Sequence, residues 1–203
     1  MAFPASSCAC GSSTSAGTPG TVGGAIFGNA HFGGTNIGDF VSRVALVTRG
    51  GARAVVTRDE MAFGYDRSRL QRSGELVEWA EFEVSDRDAD ALRAVAKASI
   101  SHRKRTQPLN MPSAGCVFQN PDPAVDRMPE GMPCSAGALI DAAGLKGYRL
   151  GGAKISDVHA NFFVNDAGAT CRDMRALIEL ARTRVLEKFG VRLRDEIVTI
   201  GEF

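Results

Sequence analysis

At 203 residues and 21.5 kDa the chain is one large domain or two small ones, long enough that about 70% of the unfolded surface can be buried. With 24 Lys and Arg against 23 Asp and Glu, the formal charge of +1 supplies no general field for nucleic acid or an anionic membrane, so neither partner is expected. Hydrophobic residues at 44% and charged residues at 23% exclude a disordered or membrane-embedded chain, while 23 glycines exceed the roughly 14 that ordinary usage gives.

Residues 1–15, MAFPASSCACGSSTS, are small and polar without periodicity and predict a disordered leader. From residue 16 the segment AGTPGTVGGAIFGNAHFGG carries enough Val, Ile and Phe to pack, which predicts an ordered glycine-rich loop or short helix rather than a linker. RVALVT (43–48) and RAVVT (53–57) flank a Gly-Gly turn and read as a hairpin. A further strand is expected over 76–84, and FGYDRSRLQ (63–71), polar and aromatic together, reads as a loop lining a site.

Residues 88–101 place Leu92, Val95 and Ile100 near helical spacing and lead into the basic run 102–105. Pro108 and Pro112 break that pattern, which puts a domain boundary near residue 105. In the second half, 160–165 is strand-like, and TCRD (170–173) opens a helix with a capping box. Met174, Leu177, Ile178, Ala181, Val185 and Phe189 then form its apolar stripe, and Gly190 ends it. EIVTI (196–200) predicts a closing strand.

Five cysteines, an odd number with no C-x-x-C pair, and three histidines argue against a zinc site and, without an export signal over residues 1–11, for reduced thiols in a cytoplasmic protein. Three segments can carry chemistry. The glycines at 17, 20, 23, 24 and 28 let backbone amides approach a flat or anionic ligand, or simply make a tight loop; neither a P-loop nor a dinucleotide fingerprint is present. In PSAGCVFQNP (112–121) the backbone around Cys116 is constrained by prolines at what should be a loop-to-strand junction, and the thiol is either reactive or a buried structural one. GLKGYRLGGAKISDVHANFFVN (144–165) brings Lys146, Arg149, Lys154 and His159 into one glycine-dense stretch, a phosphate contact or a solvated basic loop. Glu196, beside Asp195, is a polar strand end or a functional carboxylate.

AGTPGTVGGAIFGNA, FGYDRS, PSAGCVFQNP, AGLKGYRLGGAKISDVHANFFVN and DEIVTIGEF, in this order from about residue 16 to residue 203, resemble the UDP-N-acetylenolpyruvoylglucosamine reductase (UDP-N-acetylmuramate dehydrogenase) family. The resemblance implies an α+β fold: over 16–105 the C-terminal part of an FAD-binding, vanillyl-alcohol-oxidase-like domain, and over 106–203 a small α/β substrate-binding domain whose last strand returns toward the first. It implies FAD and NADPH as cofactors, UDP-N-acetylglucosamine enolpyruvate as the substrate, a place in peptidoglycan precursor synthesis, and a monomer. It also implies an N-terminally incomplete chain, because a G-G-G-S-N-like loop that cradles the FAD diphosphate in the family has no counterpart here.

Carried over residue by residue, the resemblance makes Cys116 the proton donor, at a position where the family commonly has serine. A thiol, with a reference pKa of about 8.5, is a far better donor than an alcohol. It makes Glu196 the group that supports the substrate carboxylate, in an acid form that predicts an elevated pKa. Gly17, Thr18, Pro19, Gly20, Thr21, Val22, Gly23, Gly24 and Ala25 lie against the flavin. Tyr65, Ser68, Asn120, Lys146, Arg149 and Lys154 are the substrate-binding candidates; no metal is implied. The family's Tyr-Arg-x-Ser motif reads Tyr65-Asp66-Arg67-Ser68 here, so a catalytic role for Arg67 requires a one-residue shift. Gln119 stands at the usual lysine, and His31-Phe32 replaces an Ala-Tyr pair. Two other readings stand beside this one: an inactive remnant that binds a UDP-sugar, and another flavin-dependent oxidoreductase on the same fold.

Overall fold

Apolar runs interrupted by glycine turns build, among the described residues, three antiparallel sheets of two, three and four strands, with helices between them in the chain. The computed structural model describes residues 20–201; the expected leader and Gly17, Thr18 and Pro19 lie outside them. The chain divides into two compact units, Met1–Arg103 and Lys104–Phe203.

In the first unit α1 (Val22–Phe27) starts where Thr21 Oγ1 accepts the Gly24 amide at 3.1 Å, so the glycine-rich segment takes the short-helix form. A two-stranded ribbon, β1 (His31–Phe32) and β2 (Thr35–Asn36), follows. The expected hairpin is β3 (Val41–Val47) and β4 (Arg53–Thr57), paired from Arg43↔Thr57 to Val47↔Arg53, with Gly51 at φ +82° in the turn. After the short α2 (Leu70–Ser73), β5 (Leu76–Phe82) pairs with the other edge of β3, giving the order β4-β3-β5. Ile26, Val41, Val44, Leu46, Val56, Met61 and Leu70 form the core. The helix expected over 88–101 is α3 (Ala89–Thr106). It takes in the basic run, whose Lys and Arg are good helix formers placed favourably near the C-terminal end of the dipole, and it stops ahead of Pro108.

The second unit carries β6 (Ser113–Cys116), α4 (Ala136–Ala142), β7 (Arg149–Leu150), β8 (Ala153–Ile155), β9 (Phe162–Asn165) and α5 (Cys171–Phe189), with the strands in the order β6-β9-β8-β7. The capping box forms as the sequence predicts: Asp173 N donates to Thr170 Oγ1 at 3.1 Å and Thr170 N to Asp173 Oδ2 at 3.0 Å. Leu177, Ile178, Ala181 and Val185 are buried, and Gly190 at φ +71° ends the helix. Phe118 and Phe163 meet edge to face at 6.0 Å in the centre of this core.

Two expectations are corrected. β5 ends at Phe82 rather than residue 84. Residues 196–200 form no strand: a single bridge pairs Asp195 with Phe118, and beyond it Val198 and Ile200 are 62% and 86% exposed. The β-branched residues favour extended backbone, but with no face to bury them pairing does not propagate.

Close approach sets a hard limit at Gly152, where a Cβ would lie 2.5 Å from Ala169 N and 2.7 Å from Ala167 O. These are backbone atoms, so relief requires moving the turn that leads into α5. Gly152→Ala is expected to destabilise the protein by about 3 kcal/mol, read as a lower urea midpoint at unchanged m-value.

Candidate active site

Cys116 is the last residue of β6, not the residue before a strand, and an irregularity in the sheet aims it. Ser113 pairs with Val164 and Cys116 with Phe162, three steps on one strand against two on the other. The extra residue makes a β-bulge, and Gly115 occupies it at φ +87°. A bulge turns the next side chain relative to a regular ladder, and glycine adopts the required conformation without steric cost. The Cys116 side chain is partly buried.

Past Cys116 the chain leaves the ladder but stays tied. Val117 N donates to Asn161 O at 2.9 Å, Gln119 N to Arg194 O at 2.9 Å, and Glu196 N to Val117 O at 2.8 Å. The Asn161 amide accepts from Phe118 N at 3.0 Å and donates to Phe118 O at 2.7 Å. Cys116 and Glu196 therefore lie on adjoining segments of one unit, with a single backbone hydrogen bond joining Glu196 to the residue that follows the thiol. Ion pairs clamp the chain on the N-terminal side of Glu196: Arg194 makes a bidentate pair with Asp126, and Asp195 meets Arg182 of α5. The guanidinium of Arg194 holds the Asp126 carboxyl below its ordinary range.

Asn120, four residues after Cys116, accepts the Ala136 amide at 3.1 Å through Oδ1 and so fixes the start of α4. Each basic candidate in this unit already has a carboxylate partner: Lys146 with Asp141, Arg149 with Asp166 and Lys154 with Asp157. His159 packs edge-on against Phe162 at 5.0 Å and accepts the Asn161 amide at Nδ1. Burial, followed by the charge of Lys146, pushes its pKa down, so it is neutral at pH 7 and serves packing.

In the first unit the flavin-loop candidates Thr21 to Ala25 are the N-cap and first residues of α1, and Gly20 directly precedes that cap. Residues 64–67 form a tight turn closed by a Gly64↔Arg67 bridge, and its side chains diverge. Tyr65 is 52% exposed with its ring 5.1 Å from that of His31. Asp66, at φ +52°, places Oδ1 3.3 Å from His31 Nδ1 and buries Oδ2 without a partner. Arg67 folds over Gly64 and lines a cavity of about 410 Å³ with Ala62, Ser68, Arg69, Gln71, Arg72 and Ser73. Ser68 is buried and donates to Phe27 O at 2.8 Å, tying this turn to the end of α1. Among the described residues no cluster of His, Cys, Asp and Glu is arranged to hold a metal ion, and no helix is long and apolar enough to cross a membrane.

Sequence reasoning missed Asn161, Asn29 and the bulge. Asn29 donates to Gly64 O at 2.9 Å and accepts Gly38 N at 3.0 Å. The available signal was a polar residue amid apolar ones in HANFFVN and a glycine inside a strand-like run.

The model of the C-terminal domain of UDP-N-acetylenolpyruvoylglucosamine reductase matches residues 107–200. The chain is 38% identical over 189 residues to UDP-N-acetylenolpyruvoylglucosamine reductase of Bacillus licheniformis, across 92% of this chain and 97% of that one. It is 42% identical over 191 residues to the protein of that name from Anaeromyxobacter sp. (strain Fw109-5), across 93% of this chain and 55% of the relative. The crystal structure of the Thermus caldophilus UDP-N-acetylenolpyruvylglucosamine reductase superposes with a TM-score of 0.76 at 34% identity, over 92% of this chain and 62% of that one. The chain thus spans nearly the whole of the Bacillus licheniformis relative but less than two thirds of the other two. The α+β fold, the domain match and identity sustained across both units agree: the chain belongs to the UDP-N-acetylenolpyruvoylglucosamine reductase family.

Proposed function

We propose that the chain acts in the NADPH-dependent reduction of UDP-N-acetylglucosamine enolpyruvate to UDP-N-acetylmuramate, a cytoplasmic step of peptidoglycan precursor synthesis. The observation that carries this reading is the bulge-aimed Cys116 on a segment hydrogen-bonded to the Glu196 backbone. A proton donor and a carboxyl group on adjoining segments suit a substrate whose reacting carbon bears a carboxylate.

One described position supports a flat cofactor on the first unit: Gly20, at φ +132°, has no heavy atom of the described residues within 4 Å of where a Cβ would sit, a backbone that can be approached closely. Gly20 to Ala25, with Gly17, Thr18 and Pro19 ahead of them, are the residues that would hold FAD. Bound FAD, reduced by NADPH, supplies the hydride for the enolpyruvyl β-carbon.

As the vinyl electron pair moves to the α-carbon, negative charge spreads into the attached carboxylate. Glu196, in its acid form, donates a hydrogen bond to that carboxylate and stabilises the charge. Cys116 Sγ–H gives its proton to the α-carbon; the thiolate recovers a proton from solvent. Asn120, Lys146, Arg149 and Lys154 contact the nucleotide diphosphate and sugar, while Tyr65, Ser68 and Arg67 serve the substrate from the first unit. Arg67 is a cation of the turn, reached without the face change that a strand would impose.

The purified 203-residue chain is expected to show a flavin absorbance band and to oxidise NADPH when the enolpyruvyl substrate is added; a colourless chain that stays apo in excess FAD overturns the flavin assignment. Cys116→Ala should lower substrate turnover about 10²-fold or more while NADPH still reduces the bound flavin, and Cys116→Ser should keep activity within roughly tenfold of the native chain, since a hydroxyl can still carry the proton. Full turnover by Cys116→Ala overturns the thiol's role. Glu196→Ala should cost about 10²-fold in kcat with a small change in KM, while Glu196→Gln, whose amide still donates, should keep activity within roughly tenfold. Gly115→Ala, strained by about 1–2 kcal/mol at positive φ, should lower kcat beyond what its loss of thermal stability explains.

A further inference from the structure

Phe118 bridges Asp195 on one side but has no partner on β9, because ladder pairing with β9 ends at Cys116 and Phe162. It is nevertheless completely buried, so its N–H and C=O must find partners inside the protein. Asn161, 3% exposed, supplies both: Phe118 N donates to Oδ1 at 3.0 Å and Nδ2 donates to Phe118 O at 2.7 Å. The Asn161 carbonyl also accepts Val117 N at 2.9 Å. A carboxamide has the shape and the donor and acceptor of one peptide unit, so this side chain takes the place of the missing strand.

On the opposite side the same residues receive the tail. Glu196 N donates to Val117 O and Gln119 N to Arg194 O. Asn161 itself is oriented by its N–H on His159 Nδ1 at 3.2 Å, and His159 is held by Phe162. We propose that Asn161 is the positioning residue of the Cys116 and Glu196 pair, fixing both through the main chain of Val117 and Phe118. The inference deepens the function proposed above and rests on it only for the statement that these two groups react.

No other side chain of similar size does the same. Alanine leaves both Phe118 groups unpaired in a dry site, and aspartate, when ionised, offers two acceptors and no donor, so Phe118 O faces an oxygen.

The test uses the 203-residue chain without FAD or substrate. Alkylation by iodoacetamide is followed peptide by peptide, with the rate at Cys116 divided by the rate at the exposed Cys171 in the same sample. Amide hydrogen exchange is followed at Glu196. Asn161→Ala and Asn161→Asp should each raise the Cys116 to Cys171 ratio at least threefold and accelerate Glu196 exchange at least tenfold. Ile178→Ala, a core truncation on α5 in the same unit, should leave the ratio unchanged. An unchanged ratio in both Asn161 variants, or an equal rise in Ile178→Ala, overturns the proposal. Should neither Asn161 variant fold, exchange in the native chain decides: the amides of Phe118, Gln119 and Glu196 are expected to open as one group, and a Glu196 amide that opens independently and faster than Phe118 overturns it. These readouts do not involve turnover, so their failure leaves the Cys116→Ala experiment intact, and full turnover by Cys116→Ala leaves them intact.

Discussion

The candidate site of the second unit depends on one constraint: a buried backbone that has left its sheet must still satisfy its polar groups. The bulge at Gly115 takes Cys116 out of regular register; past it one further main-chain bond, Val117 N to Asn161 O, closes the ladder, and Phe118 has no main-chain partner on that side. A buried unpaired amide or carbonyl costs about 1–3 kcal/mol, more than this loop could lose repeatedly. The solution is a partner on each side, Asn161 from the turn ahead of β9 and residues 194–196 from the tail. Displacement of Cys116 from the regular ladder and attachment of the tail that carries Glu196 are therefore two consequences of one event.

The first unit solves a related problem in the same way. Asn29, itself at φ +48° and 5% exposed, donates to Gly64 O and accepts Gly38 N. Its carboxamide joins the turn carrying Tyr65 to the short helical turn ahead of β3, while Ser68 joins that turn to α1. A Cβ on Gly38 would come within 2.7 Å of Asn29 Oδ1 and of the Phe63 ring, so the glycine is required for this approach. In both units an irregular segment is anchored by a buried asparagine rather than by extending a strand.

What could be read in the sequence and what could not divide along these lines. The hairpin, the capping box at Thr170 and the apolar stripe of α5 were legible because each depends on neighbours within a few residues: a Gly-Gly turn, a Thr and Asp three apart, a 3.6-residue period. The pairing of Cys116 with the Glu196 tail was reached through resemblance, since some eighty residues separate them and no local pattern couples the two. The bulge and Asn161 left only a weak local signal. A glycine in SAGC and an asparagine in HANFFVN are ordinary residues until the register of β6 against β9 is known, and register over two short strands is a tertiary property. Residues 196–200 failed for the complementary reason: β-branched composition signals extended chain, whereas a strand also needs a face to cover.

Charge placement carries the last step. At the Tyr65-Asp66-Arg67-Ser68 turn the buried charge is the carboxylate of Asp66, half satisfied by His31, while Arg67 is exposed over Gly64. The two positions are thus not interchangeable: of the two side chains only Arg67 is a cation, and it is the exposed one. In the second unit, Lys146, Arg149 and Lys154 already face Asp141, Asp166 and Asp157, which at first sight argues against phosphate binding. The energetics point the other way. Ion pairs with at least one exposed partner are worth about 0–1 kcal/mol, so the three pairs cost the proposed diphosphate contact little: exchanging such a carboxylate for a phosphate oxygen replaces one weak, water-screened partner by another of the same sign.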